Sequence, residues 1–316
     1  RGSLGQPKPP GLPASASYGK LPNGVNRRGW PRDPLLPLLT NGSRPPTWES
    51  KRIKVLKVSV VNQYELEVIQ VAFGNLLHDV VFTAGLCMFC TDEAAFSWCK
   101  STLAQPDHCL RTHETLGASG FMAHDYWKLI WLKWHVVRYA LQWPGVESVF
   151  FIDADVAIFK PFDEFVSHSD ADFMYAPELH PDVRLNGGQL WFNRTEAAAR
   201  FINEVLGYDG DSGLLDQDYA WMVLCNSTRL RWYSLPVKHF QSHCWRKQRK
   251  NRKEVTSHTH TYHAACSSGW KSKVGTLKES RRIYRDAMKR LKRRQRQEQE
   301  KMERQRVKQQ HMEQKR

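Results

Sequence analysis

Nowhere in these 316 residues do 18 apolar side chains follow one another, so the sequence holds no candidate for a membrane-spanning helix. Acids are few against bases, 32 Asp and Glu to 47 Lys and Arg, giving a formal charge of +15. The shortage is local. Residues 271 to 316 carry 18 Lys or Arg and 6 Asp or Glu, so +12 of the +15 sits in the last stretch of chain. The remainder is nearly balanced and shows no recognised nucleic-acid motif and no interleaving of basic with aromatic residues, which argues against a nucleic-acid-binding core. Carboxylates are also not clustered densely enough for a two-metal phosphohydrolase or nuclease. Those two classes stand as the rival readings, the nucleic-acid binder acting through the basic tail.

Glycine and proline are missing between residues 277 and 316, which makes that tail helical or partly disordered. Ile283, Ala287, Met288 and Leu291 mark one short apolar face near its start. A solvated helix is the plain reading; an acidic partner or an anionic membrane surface is the functional one. The opposite end is the reverse in composition. Residues 1 to 50 carry ten prolines with glycine and serine between them, as an extended stem or linker would. The first residue is Arg1, so an N-terminal anchor is either absent or lost upstream. Three domains of unequal character follow: a stem over 1–50, a folded domain over 51–277 and a basic tail over 278–316.

What is present is a pair of aspartates in the middle of an apolar run, Val149-Phe150-Phe151-Ile152-Asp153-Ala154-Asp155-Val156-Ala157-Ile158-Phe159. The run reads as one buried strand, in which side chains two apart share a face. Asp153 and Asp155 therefore act together, and two like charges so close call for a cation. Oxygen ligands suit Mg2+ or Mn2+, with substrate phosphates completing the shell. That chemistry points to a nucleotide-diphosphate substrate, although Asp-x-Asp alone occurs often by chance.

Strand and helix alternate around this pair. Residues 54–61 form a first strand and Val80 to Met88 a second. Thr91 then caps a helix whose first turn holds Asp92 and Glu93. Residues 124–142 are apolar on all sides and make a largely buried helix, ended by Trp143-Pro144-Gly145. Residues 171–176 and 188–192 are short strands, residues 196–205 a helix and residues 221–225 part of another. The fold class is α/β, a single domain with a mixed, mostly parallel sheet, and the aspartates lie at the C-terminal end of their strand, where such sheets bind ligands. Cys87, Cys90, Cys99 and Cys109 are crowded together, but their spacing fits no common zinc motif; structural disulfides or buried thiols are expected. Sequons at Asn41, Asn193 and Asn226 are compatible with a secretory route.

Four segments in order, Phe151-Ile152-Asp153-Ala154-Asp155-Val156, Leu185-Asn186-Gly187-Gly188-Gln189-Leu190-Trp191-Phe192, Leu215-Asp216-Gln217-Asp218-Tyr219, and His263 followed by Gly269 and Lys273, resemble the GT-A glycosyltransferases. Within them the chain resembles the nucleotide-diphospho-sugar transferases that include retaining plant and algal enzymes. The resemblance covers residues 54–277. It implies a Rossmann-like GT-A sheet flanked by helices and a metal-dependent transfer of sugar, with retention, from a UDP-sugar to a hydroxyl of a glycan or glycoprotein. Asp153, Asp155 and His263 would hold Mn2+ or Mg2+, with His258 and His260 as close decoys. Asp153, Asn186, Gly187, Gly188, Gly269 and Lys273 would meet the donor, Lys271 standing in for Lys273. Asp216, Gln217 and Asp218 would line the sugar pocket and carry the catalytic roles, and Lys133 or Arg138 would reach the donor from the preceding helix. A Golgi or secretory lumen, with a membrane anchor upstream of Arg1, is the location implied. The cysteine cluster and the basic tail have no counterpart in that family pattern.

Overall fold

A computed structural model describes residues 52–112, 124–177, 184–208, 214–244, 255–267 and 269–314; the proline-rich stem expected over residues 1–50 and the sequon at Asn41 lie outside them. The first strand, β1 (Leu56–Val61), is buried throughout. After it Asn62 and Glu65 close a reciprocal capping box on a short 3-10 turn, which launches α1 (Leu66–Phe73).

Val80 to Thr83 departs from expectation. Its β-branched and aromatic residues suggest a strand, yet Asp79 accepts hydrogen bonds from the Val81 and Phe82 amides and winds them into a single turn, α2 (Val80–Thr83). The strand β2 begins only at Leu86 and ends at Cys90. The next cap also differs: Asp92, not Thr91, accepts from the Ala95 amide and starts α3 (Glu93–Thr102). An acid with an extended backbone outcompetes threonine here because its second oxygen also takes the Gln63 amide at 2.7 Å.

Cys109–Arg111 adds β3. The long α4 (His124–Leu141) is buried over Ile130 to Trp134 and again at Val136, Val137 and Ala140, as its all-round apolarity requires, and Gly145 turns the chain at φ +81°. Then come β4 (Ser148–Ile152), β5 (Val156–Ile158), α5 (Asp163–Ser167), β6 (Phe173–Pro177), β7 (Leu185–Asn193), α6 (Glu196–Leu206), α7 (Asp216–Asn226), β8 (Trp232–Ser234), β9 (Phe240–Ser242), β10 (Thr261–His263) and α8 (Trp270–Gln314). The apolar run at 149–159 is thus two strands rather than one. The chain turns at Asp153–Asp155 and leaves the main sheet.

The seven-stranded sheet has the order β3-β2-β1-β4-β7-β6-β8. β1 runs parallel to β2 and β4, β2 to β3, and β6 to β8, while β7 is antiparallel to both its neighbours. Alternate side chains feed two cores. Val58, Val149 and Phe151 face the helices α4, α6 and α7; Val61, Phe150 and Ile152 face α1, α3 and the second sheet. That second sheet, β5-β10-β9, matters most for the site: Val156 pairs with His263 across β5 and β10, so the turn holding both aspartates is stitched directly to the histidine.

The last helix runs unbroken through residue 277. Val274, Leu277 and Ser280 are buried, and the Arg281 guanidinium donates to the carbonyl oxygens of Val71 at 2.5 Å and of Ala72. Tyr284 stacks on Phe159 with centroids 4.5 Å apart. Beyond Leu291 every described side chain is exposed. No helix among the described residues is long and apolar enough to cross a membrane.

Cys99 pairs with Cys109 and Cys244 with Cys266, while Cys87 and Cys90 are buried thiols in β2. Burial raises both thiols above the usual cysteine range, as inert core positions do.

Candidate active site

Asp153 ends its strand with its amide bonded to the Gly188 carbonyl at 2.9 Å, and the Asp155 carbonyl accepts from the Ala264 amide at 3.0 Å. These two bonds fix the aspartate turn between β7 and β10. His263 Nε2 then lies 3.1 Å from Asp155 Oδ1 and 4.0 Å from Asp153 Oδ2. One ligand atom from each of the three residues falls within 4.8 Å of the others. The expected trio is therefore assembled in space, and His263 rather than His258 or His260 completes it. His260 is turned away, its Nδ1 bonded to the Pro161 carbonyl at 2.8 Å, and the His258 carbonyl accepts from His239 at 2.8 Å.

Lys273 Nζ sits 2.8 Å from Asp155 Oδ2. Gly269 makes this possible: its φ of +75° is one that L side chains rarely adopt, and its carbonyl accepts the Lys273 amide at 3.1 Å as α8 begins. Lys271 instead lays its ammonium over the Trp270 ring at 5.4 Å. Burial opposes the charge on Asp155, but Lys273 and His263 outweigh it and hold the carboxyl well below the usual range. Asp153 moves the other way. Its burial, with Asp155 beside it, prevails over Lys133 and raises its pKa.

On the far side of the turn, Lys133 of α4 reaches Asp216 Oδ2 at 3.1 Å and donates to the Gly187 carbonyl at 3.2 Å. Of the two α4 cations considered, Lys133 is the one placed here. Burial would discharge its ammonium, yet Asp216 and Asp153 more than offset that and raise its pKa. Trp134 Nε1 also donates to Asp216 Oδ2, at 3.0 Å. Gln217 Oε1 accepts the Gly187 amide at 3.2 Å, and Asn186 Oδ1 accepts that of Gly188 at 3.0 Å. Asp218 follows one residue on, and burial together with Asp216 raises its carboxyl.

The glycine pair is explained by contact rather than by turn geometry. A Cβ on Gly187 would come within 2.6 Å of Lys133 Nζ, and one on Gly188 within 2.3 Å of the His263 ring. At Gly188 no side chain fits unless the imidazole moves, and at Gly187 one would displace the Lys133 ammonium. Asp153, Asp155, His263, Lys273, Lys133, Asn186 to Gly188 and Asp216 to Gln217 thus form one connected cluster.

Sequence reasoning missed Glu65 and Trp134. Glu65 belongs to the turn after β1, and its carboxyl is pushed up to about 7 by burial, against Lys273 and with Asp153 and Asp155 adding to the rise. It therefore shares the electrostatic field of the cluster. Its signal was the Asn62-x-x-Glu65 capping box, which reads as helix grammar alone.

The family profile for nucleotide-diphospho-sugar transferases matches residues 85–277, well over half of the chain and spanning all four segments. The chain belongs to the nucleotide-diphospho-sugar transferase family. As such a transferase it is an enzyme that takes a sugar from a nucleotide-diphosphate donor. Solved structures similar to this transferase include a glycosyltransferase involved in glycosylation of the major capsid of PBCV-1 (12% identity, 71% of this chain and 98% of the other, TM-score 0.49). The galactosyltransferase LgtC in complex with donor and acceptor sugar analogs is another (8%, 73% and 95%, TM-score 0.48), as is mouse xyloside xylosyltransferase 1 (14%, 68% and 99%, TM-score 0.45). No curated protein sequence matches the chain.

Proposed function

We propose that this transferase moves a sugar from a UDP-linked donor to a hydroxyl of a glycan or glycoprotein, with retention and with a divalent ion held by Asp153, Asp155 and His263. The observation that carries the reading is the convergence of those three ligand atoms within 4.8 Å. The residues fit a cation in two further ways. The rise at Asp153 marks a carboxyl that ionises reluctantly beside a second one. His263 is buried, and its Nδ1 has no hydrogen-bond partner among the described residues, so the imidazole is incompletely satisfied by protein. Two carboxylates with one imidazole favour Mn2+ ahead of Mg2+.

When bound, the ion would supply charge stabilisation at the leaving diphosphate. The chain's own groups supply the rest. Lys273 brings a permanent positive charge to the same edge, at the start of α8, where departing phosphate oxygens gain negative charge. Gly187 and Gly188 leave backbone bare on the donor side. Lys133 and Trp134 fix Asp216, and the Gly187 amide fixes Gln217, so that the sugar meets side chains already held in one orientation. Asp216, Gln217 and Asp218 surround the sugar in this reading, as the resemblance to retaining enzymes implies. The disulfides Cys99–Cys109 and Cys244–Cys266 support an oxidising, secretory location.

UDP release from a panel of UDP-galactose, UDP-xylose and UDP-arabinose, with Mn2+ and then with EDTA, tests the proposal. Release should require the ion, and Asp155→Ala should lower it by roughly a hundredfold, from about 3 kcal/mol of lost charge stabilisation. Full turnover in EDTA rejects the metal role, and product of inverted anomeric configuration rejects retention. Phosphate release from nucleotides lacking a sugar would favour a phosphohydrolase instead.

A further inference from the structure

The distal half of α8 takes no part in the site, yet its cations are not scattered. At 3.6 residues per turn, the spacings of three, four, seven and eleven put Arg290, Arg293, Arg294, Lys301, Arg304 and Lys308 in a sector of about 100° on one side of the helix. All six are exposed. Glu298, Glu300 and Glu303 fall outside that sector, so the stripe carries no acid between residues 290 and 308. Beside the stripe runs an uncharged line, Leu291, Gln295, Met302 and Gln309, too poor in large apolar side chains to insert into hydrocarbon, while the side opposite carries Lys292, Arg306 and Glu303. The stripe is about 27 Å long.

We propose that this stripe is a docking surface for an anionic lipid bilayer, which α8 meets lying flat, by electrostatic adsorption to headgroups. A row of cations confined to one side presents its charges together to a plane. Anionic headgroups offer the complementary charge at every point along it. The inference does not depend on the reaction catalysed by the domain.

The test is partitioning of the full chain onto vesicles of phosphatidylcholine alone or with about 30% phosphatidylserine, at low and high salt. Binding should require phosphatidylserine and weaken as salt rises. Each cation removed from the stripe should weaken partitioning about fivefold, so Arg293→Gln/Arg304→Gln/Lys308→Gln should lose about a hundredfold. Lys292→Gln/Arg296→Gln/Arg306→Gln, which removes the same charge from the other sides of the helix, should lose less than about tenfold. Circular dichroism should show that both triples keep the helix, and a triple with Arg293→Lys and Arg304→Lys in place of the glutamines should bring binding back to within about fivefold of the parent. Equal losses from the two triples, equal binding to neutral vesicles, no binding to either, or preferential capture by duplex RNA would each overturn the proposal.

Discussion

The two halves of α8 share a secondary structure and an excess of Lys and Arg but owe their order to different forces. From Trp270 to Tyr284 the helix is an organ of the domain. It carries Lys273 to Asp155, buries Val274 and Leu277, and donates through Arg281 to the ends of α1. Beyond Leu291 its described side chains are all exposed and it rests on its own propensity, with pairs such as Arg296–Glu300 at 3.2 Å, each contributing only about 0.3–0.5 kcal/mol. Tertiary packing stabilises the first half and local grammar the second. A run of basic residues therefore says little about what it does until its neighbours are known.

The largest contrast should appear in activity. Lys273→Ala should cost roughly a hundredfold in sugar transfer, about 3 kcal/mol, whereas Arg304→Ala should leave transfer of a soluble acceptor unchanged. A loss from Arg304→Ala would break the division. Stability should follow the same line: denaturant titration should find Leu277→Ala destabilised by about 2–5 kcal/mol, since a fully buried side chain leaves a cavity, and Met302→Ala within about 0.5 kcal/mol of the parent.

A pH effect of intermediate size should come from Glu65, which faces the proximal half. Its folded pKa is raised from 4.5 to about 7, so the folded chain keeps a proton that the unfolded chain gives up. The associated stability is complete below 4.5 and is lost as pH rises through 7. Glu65→Gln should flatten that decline in metal-free protein, and an unaltered pH–stability curve would remove Glu65 from the field of the site. The smallest effect should follow ending the chain after Leu291, which should shift Tm by less than about 2 °C while helical content falls.

Much of this was legible beforehand, for reasons that individual residues make clear. The helix over 124–141 was visible because ten large apolar side chains crowd it, and the aspartate pair because acids are rare in an apolar run. The ordered motifs located Asn186 to Gly188 and His263, but the contact that excludes any Cβ at Gly188 exists only once β7 and β10 meet. Val80 to Thr83 misled because its β-branched pattern outweighed a single capping acid, Asp79. The break of residues 149–159 into β4 and β5 was hidden for a related reason: the apolar pattern continues through the turn while the strand changes sheets. Trp134 looked like core, and it is core, but its indole nitrogen also holds Asp216. Dual use of that kind has no periodicity to reveal it.

The Cys244–Cys266 bridge has a practical consequence. It spans the ends of β9 and β10, and Cys266 follows His263 by three residues, so the cross-link staples the very segment that delivers the imidazole. Protein made in a reducing host would lack the staple, and an inactive preparation from such a host would report on the handling of two thiols before it reported on catalysis. The choice of expression compartment thus becomes a chemical variable of the imidazole's placement.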